Sequence, residues 1–313
     1  MASFARQALR GSSGVATVVV TGAGGQLGVD LVRELRERGH EVVGLTHAQC
    51  DVSDRAQVVS AISAAQASTI VHAAAWTDVD GCELDAARAF RMNALGTRNV
   101  AEAARATGAH VVYVSTDYVF DGTSERPYHE WDSPHPLSVY GAAKLAGECE
   151  LDADATVVRT SWVCGAHGRN FVRSILTALA NRDTLDVVAD QRGAATFTFD
   201  LAAAIAWLVQ QRAPGVFHVR NDGELTWCEF AQEIAWLSGS DPERVRPITT
   251  EQLRPARPAP RPRNSVLDGV AWRAVGGPAL PEWRQSLQTL LAQMAEGQVS
   301  ASAAPPPESP SAP

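Results

Sequence analysis

Residues 16–28 read "ATVVVTGAGGQLG". The apolar, β-branched run up to Thr21 has the composition of a buried strand. Leu27, Leu31, Val32 and Leu35 then recur at helical spacing, and Gly39 ends that pattern. Between the two elements lie Gly22, Gly25 and Gly28. Gly22 permits a tight turn, Gly25 lets backbone approach a pyrophosphate, and Gly28 lets helix and strand pack closely. The helix that follows offers free N–H groups and a partial positive charge at its start. A glycine triplet alone is a weak signal. A strand before it and a helix after it make it a dinucleotide site.

Working outward, the alternation continues. "EVVGL" reads as a second strand, and "RAQVVSAISAAQ" as a helix with Ser53 as its N-cap before Asp54. "STIVHAAA" gives a third strand, 84–107 one long alanine-rich helix ended by Gly108, and "HVVYVST" a fourth strand. "AAKLAGECEL" is helical and "ATVVRTS" is a fifth strand. Strands alternating with helices predict an α/β fold, a Rossmann-type doubly wound parallel sheet. Past residue 170 the rhythm loosens. Helices are expected at 170–181, 199–211, 226–237 and 283–294, and short strands at 185–189, 216–219 and 245–248. The division expected is a disordered extension at 1–14, a mainly NAD(P)-binding domain at 15–169, and a smaller sugar-nucleotide-binding region at 170–296 that partly returns to the main sheet. A low-complexity, disordered tail is expected at 297–313. "LRPARPAPRPRNS" breaks regular structure, because proline removes backbone donors.

The chain has 313 residues, 45% hydrophobic and 20% charged, which are globular values. A formal net charge of −8 argues against a general nucleic-acid binder but leaves room for a small anion held by local arginines. Five cysteines without a C-x-x-C pair read as a reduced, cytoplasmic protein. The eight histidines show no metal spacing, so no metal is expected. No apolar run approaches the ~20 residues that span a bilayer, so no membrane partner is expected. "MASFARQALRGSSG" faintly resembles a transit peptide and is read as a disordered start.

The second strand ends in "GLTHAQCD", with Thr46 and His47 where a ribose-binding carboxylate is usual. Nothing there repels a 2′-phosphate and no arginine grips one, so NADPH is allowed beside NADH. Asp51 either faces the adenine or caps the next helix. Downstream, "YGAAKLAGE" places Tyr140 and Lys144 at i and i+4, on one helix face. An ammonium beside a phenol eases proton transfer from it, so Tyr140 can protonate a carbonyl oxygen as hydride reaches the carbon. "VSTDYVFDG" puts Thr116 at the carboxyl end of the fourth strand, where ligands bind in open sheets and where its hydroxyl can meet the substrate oxygen.

These blocks resemble the extended short-chain dehydrogenase/reductase family and, within it, the dTDP-4-dehydrorhamnose reductase branch, which completes dTDP-L-rhamnose for cell-wall polysaccharide. The resemblance runs from about residue 18 to 290 and rests on ordered segments: "TGAGGQLG", "HAAAWTDVDGCE", "VSTDYVFDG", "YGAAKLAGE", "RTSWVCGAHGRNF", "DQRGAATFTFDLA", "GVFHV" and "RPRNSVL". It implies an NAD(P)H-dependent oxidoreductase that reduces the 4-keto group of a nucleotide-linked deoxysugar. By the same resemblance, Gly22, Gly25, Gln26, Leu27 and Gly28 would cradle the pyrophosphate. Asp51 and Val52 would lie by the adenine, and Ala73, Ala74, Ala75 and Ser115 would line the cofactor site. Tyr140 and Lys144 would be proton donor and partner. Thr116, Asp117, Trp162 and Asn170 would meet the sugar, and Arg261 the diphosphate. The cluster Arg254, Arg257, Arg261 and Arg263 suits a diphosphate on charge alone. A homodimer stays open.

Three positions depart from the family pattern: Cys164 replaces a tyrosine, Ala195 a proline, and Trp76 a tyrosine. They touch pocket walls rather than the proton-transfer pair. A related 4,6-dehydratase or epimerase is the first alternative, but Thr116-Asp117 is followed by Tyr118 where a dehydratase has glutamate. A non-catalytic regulatory subunit, similar to that of methionine adenosyltransferase, is the second.

Overall fold

The computed structural model describes residues 16–302. The expectations for residues 1–14 and 303–313 lie outside them. β1 (Thr17–Thr21), β2 (Glu41–Leu45), β3 (Thr69–His72), β4 (His110–Thr116) and β5 (Thr156–Thr160) follow the predicted order. They are joined by α1 (Gln26–Glu37), α2 (Arg55–Ala65), α3 (Val79–Leu84), α4 (Ala86–Phe90), α5 (Gly96–Thr107) and α6 (Val139–Glu148). Beyond β5 come β6 (Val163–Cys164), α7 (Phe171–Asn181), β7 (Leu185–Val188), β8 (Arg192–Gly193), β9 (Thr196–Phe197), α8 (Thr198–Gln211) and β10 (Gly215–His218). β11 (Leu225–Thr226), α9 (Trp227–Leu237), β12 (Val245–Ile248), α10 (Val270–Ala274) and α11 (Trp283–Ser302) complete the chain.

Six parallel strands form the main sheet in the order β10-β5-β4-β3-β1-β2. The order reverses between β1 and β3, so a crevice opens at their carboxyl ends. Leu27, Leu31 and Leu35 of α1 pack with Leu201, Ile205 and Leu208 of α8 on one face. Val58 and Ile62 of α2 pack with Val100 and Ala103 of α5 on the other. A sheet covered on both faces explains why its strands read as unbroken apolar runs. Each fully buried leucine or isoleucine contributes about 1.5–3 kcal/mol. The later elements have their own core, in which Val172 and Ile175 of α7, Phe230 and Ile234 of α9, and Trp283 and Leu287 of α11 meet. α8 and β10 serve the main sheet instead.

Local details differ from the sequence reading. The helix expected at 84–107 is three pieces. Asp85 leaves helical geometry and caps α4 by accepting from Arg88 N, a cap that aspartate makes better than it continues a helix. A π-helical turn then covers Arg91–Leu95. It aims Asn93 at the backbone of Trp76, which donates to Asn93 Oδ1 at 2.8 Å and accepts from Nδ2 at 3.0 Å. Asp54, not Ser53, caps α2, accepting from Ala56 N and Gln57 N at 2.9 and 3.2 Å. α11 continues to Ser302, past the expected end at 294 and into the segment read as tail.

Candidate active site

The loop after β1 is shaped by its glycines. Gly22 has φ +71°, and a Cβ there would sit 2.8 Å from the backbone of Ala74. A Cβ on Gly28 would lie 2.1 Å from Gly22 O, so α1 closes directly onto the turn. No side chain caps the start of α1, which leaves its first N–H groups for a ligand. These features fit a dinucleotide pyrophosphate. At the end of β2, Thr46 donates to Gln49 Oε1 at 2.7 Å, and no carboxylate stands between Thr46 and Gln49.

From this loop a cavity of about 1160 Å³ runs across the strand ends to α9 and the segment 256–261. It gathers most of the predicted residues on one wall or another: Gly22, Gly25, Gln26, Leu27, Gly28, Ala73, Ala75, Ser115, Thr116, Asp117, Tyr140, Lys144, Trp162 and Arg261. Asp51, Val52, Ala74 and Asn170 do not line it. Asp51 takes the capping alternative, accepting from Ser53 N at 2.9 Å. Val52 is buried against Gly96. Ala74 backs Gly22 from behind. Asn170 caps α7 through Arg173 N and donates to Gly165 O at 2.7 Å, lining a separate groove on that helix.

Tyr140 is delivered by the first turn of α6. Ser138 caps that helix at Gly141 N, and Glu83 of α3 accepts from Val139 N at 3.0 Å. Gly141 presses on the backbone of Tyr118, where a Cβ would come within 2.1 Å of the carbonyl oxygen. The helix start is thereby fixed against the end of β4. The Tyr118 ring meets that of Tyr140 edge-on at 6.0 Å. Burial raises the Tyr140 phenol above its ordinary range, and the Thr116 hydroxyl works the other way. A phenol held protonated this way has its proton available for transfer.

Lys144 is 2% exposed. Its Nζ donates to Val114 O at 2.7 Å and sits 4.1 Å from the centre of the Tyr113 ring. Burial lowers its ammonium to about 7, with Glu148 pulling the other way. Glu148, one turn further along α6, forms a buried pair with Arg159 of β5 at 2.6 Å and accepts from Ser115 Oγ. Ser115 therefore spends its hydroxyl behind the lysine. Asp117 is 2% exposed; its Oδ1 accepts from Thr116 Oγ1 at 3.0 Å, and burial raises its carboxyl to about 7.

Trp162 adopts φ +46°, an unusual value for a bulky residue and one kept where surroundings fix it. Its indole lies over Gly193 and stacks on Trp227 with ring centres 3.5 Å apart. Arg261 reaches the cavity, but its fork is already filled. It makes a two-pronged pair with Asp80 of α3 at 3.0 and 2.9 Å, and Arg257 adds a third bond at 3.0 Å. Burial works to raise the Asp80 carboxyl, yet these bonds and the one from Ala259 N hold it below the usual range. Of the departures, Cys164 and Ala195 are buried core residues, and Trp76 lies under the Arg88 guanidinium at 4.3 Å.

Several residues of this site were not singled out from sequence: Asp80, Asn93, Glu148, Arg159, Thr160 and Trp227. Glu148 left one trace, a carboxylate at i+4 from Lys144 in "YGAAKLAGE". The others come from segments far apart in the chain and carry no local pattern.

Fold and site together define a dinucleotide-binding protein of the short-chain dehydrogenase/reductase class. The chain belongs to the family described as RmlD substrate binding domain, which matches residues 16–296. It is 44% identical over 278 residues to a dTDP-4-dehydrorhamnose reductase of Streptomyces griseus, covering 86% of this chain and 91% of that one. It is 42% identical over 273 residues to a dTDP-4-keto-6-deoxy-D-glucose reductase of Streptomyces niveus, covering 86% and 94%. A crystal structure of dTDP-4-dehydrorhamnose reductase from Bacillus anthracis in complex with NADP superposes with a TM-score of 0.84 at 35% identity, covering 89% of this chain and 99% of that one.

Proposed function

We propose that this protein reduces the 4-keto group of dTDP-4-dehydro-L-rhamnose to give dTDP-L-rhamnose, using NADPH or NADH, as a cytoplasmic enzyme. The observation that carries the reading is the convergence of Tyr140, Lys144 and Thr116 on one cavity with the glycine loop at residues 22–28. NADPH, when bound, supplies the hydride. The chain's own residues do the rest. The loop and the start of α1 hold the pyrophosphate, and Lys144 steadies the ribose nearest the reacting ring. Thr116 hydrogen-bonds the ketone oxygen. Tyr140 gives that oxygen its proton as negative charge builds on it, and solvent returns the proton afterwards. Trp162, stacked on Trp227, closes one side against water. Arg257 and Arg261 are the cations nearest the substrate end, and a diphosphate would compete with Asp80 for them.

The test mixes purified protein with dTDP-4-dehydro-L-rhamnose and each reduced cofactor and follows nicotinamide absorbance. Stoichiometric loss of reduced cofactor is expected. A dehydratase or epimerase, which recycles its cofactor, would show none. Tyr140→Phe should lower kcat by about 10²–10⁴ with NADPH affinity retained. Near-normal turnover by that variant would remove Tyr140 from its role.

A further inference from the structure

Six side-chain polar atoms among the described residues are buried without a hydrogen-bond partner. Two belong to residues that line the reaction cavity: Asp117 Oδ2 and Thr160 Oγ1. Their residues are 2% and 3% exposed, so water does not reach them freely. An unpaired buried polar group costs about 1–3 kcal/mol. Native proteins rarely carry that cost without a use for it.

Their placement says what the use is. Thr116 pairs across the sheet with Thr160 in the β4–β5 register. The Thr160 hydroxyl therefore stands about one strand spacing, ~4.8 Å, from Thr116. Asp117 is the next residue along the chain, and its Oδ1 is already taken by Thr116 Oγ1 at 3.0 Å, which leaves Oδ2 as the open acceptor. A carboxyl oxygen and a hydroxyl together suit an alcohol, which donates one hydrogen bond and accepts another. With Thr116 at the ketone oxygen, the group beside it is a substituent on an adjacent ring carbon.

We propose that Asp117 and Thr160 form a specificity pair that reads the sugar hydroxyl on the carbon next to the ketone. The proposal rests on the keto-sugar reading above. It adds that this chain rejects sugars that are deoxygenated at that carbon. A site that hydrogen-bonds a substrate hydroxyl discriminates strongly against the analogue lacking it, because the buried partners are then left unpaired.

The experiment compares kcat/KM for a nucleotide-linked 4-keto-6-deoxyhexose and its 3-deoxy analogue, with saturating NADPH. Wild-type protein should prefer the hydroxylated sugar by about 10²-fold or more. Thr160→Val, which keeps the β-branched shape and removes the hydroxyl, should shrink that preference about tenfold, chiefly by loss on the hydroxylated sugar. Its thermal midpoint should stay level or rise, since an unpaired buried hydroxyl is gone. Asp117→Asn should shrink the preference in the same direction. A wild-type ratio near one would overturn the proposal. So would equal losses on both sugars, or a rise in NADPH KM that is the same with either, which would place Thr160 on the cofactor. If wild-type protein turns over neither sugar, the reductase reading falls instead. Binding titrations of the two sugars to NADP⁺-loaded protein then decide the pair, with equal affinities overturning it.

Discussion

The glycine loop at residues 22–28 and the segment 254–263 border the same cavity but are held by different physics. The loop is shaped by backbone alone. Gly22 takes φ +71°, Gly28 leaves no room for a Cβ, and α1 begins without a side-chain cap. The segment is held by side chains from elsewhere: Asp80 of α3 binds both Arg257 and Arg261. Between them sits the α6 face, which draws on both kinds of support. Tyr140 is placed by a helix cap, and Lys144 by the Glu148–Arg159 pair behind it. Backbone-made sites announce themselves in short motifs. Side-chain-made sites need the fold first.

The comparison can be broken in stages. Glu148→Ala should have the largest effect, because it strands Arg159 in a buried position. A loss of about 3–5 kcal/mol in unfolding free energy is expected, read by urea denaturation. An unchanged midpoint would show that the pair behind the lysine is dispensable. Gly28→Ala should cost about 1–3 kcal/mol by overpacking, and should weaken NADPH binding while leaving nucleotide-sugar binding nearly intact. Fluorescence titration of the two ligands separates these effects, and equal losses would erase the distinction between the two regions. Trp227→Leu removes the stacking partner of Trp162. It should raise the sugar KM about five- to tenfold, the equivalent of a ~1 kcal/mol aromatic pair, with NADPH KM unchanged.

The smallest effect is a proton. Burial brings Lys144 down to about 7 in the cofactor-free protein, so at pH 8 it is mostly neutral. Bound phosphates favour its charged form and raise that value. NADPH binding at pH 8 should therefore take up a fraction of a proton, and the uptake should fade below pH 6, where the ammonium is already formed. Calorimetry in buffers of different ionisation enthalpy measures it. Lys144→Met should abolish it, and uptake unchanged in that variant would move the effect to another group.

The strand–loop–helix unit at residues 17–37 was legible because apolar periodicity and glycine spacing are properties of neighbouring residues. The pairing of Tyr140 with Lys144 was legible for the same reason, being one helical turn. The helix at 84–107 was misread because its breaks serve distant partners: Asn93 leaves regular geometry to hold the backbone of Trp76. Arg261 was placed at the cavity correctly, but its occupation by Asp80, 181 residues earlier, had no local sign.

The sequence by itself determined a doubly wound parallel sheet, a phosphate-binding turn and a tyrosine–lysine face, since each follows from repeats of two, three or four residues. Only the tertiary structure decided which carboxylates hold which arginines, which hydroxyls stay unpaired, and that β10 returns to the main sheet beside β5. Those outcomes depend on burial and on distances between segments far apart in the chain, and such distances exist only once the sheet has brought its strand ends together.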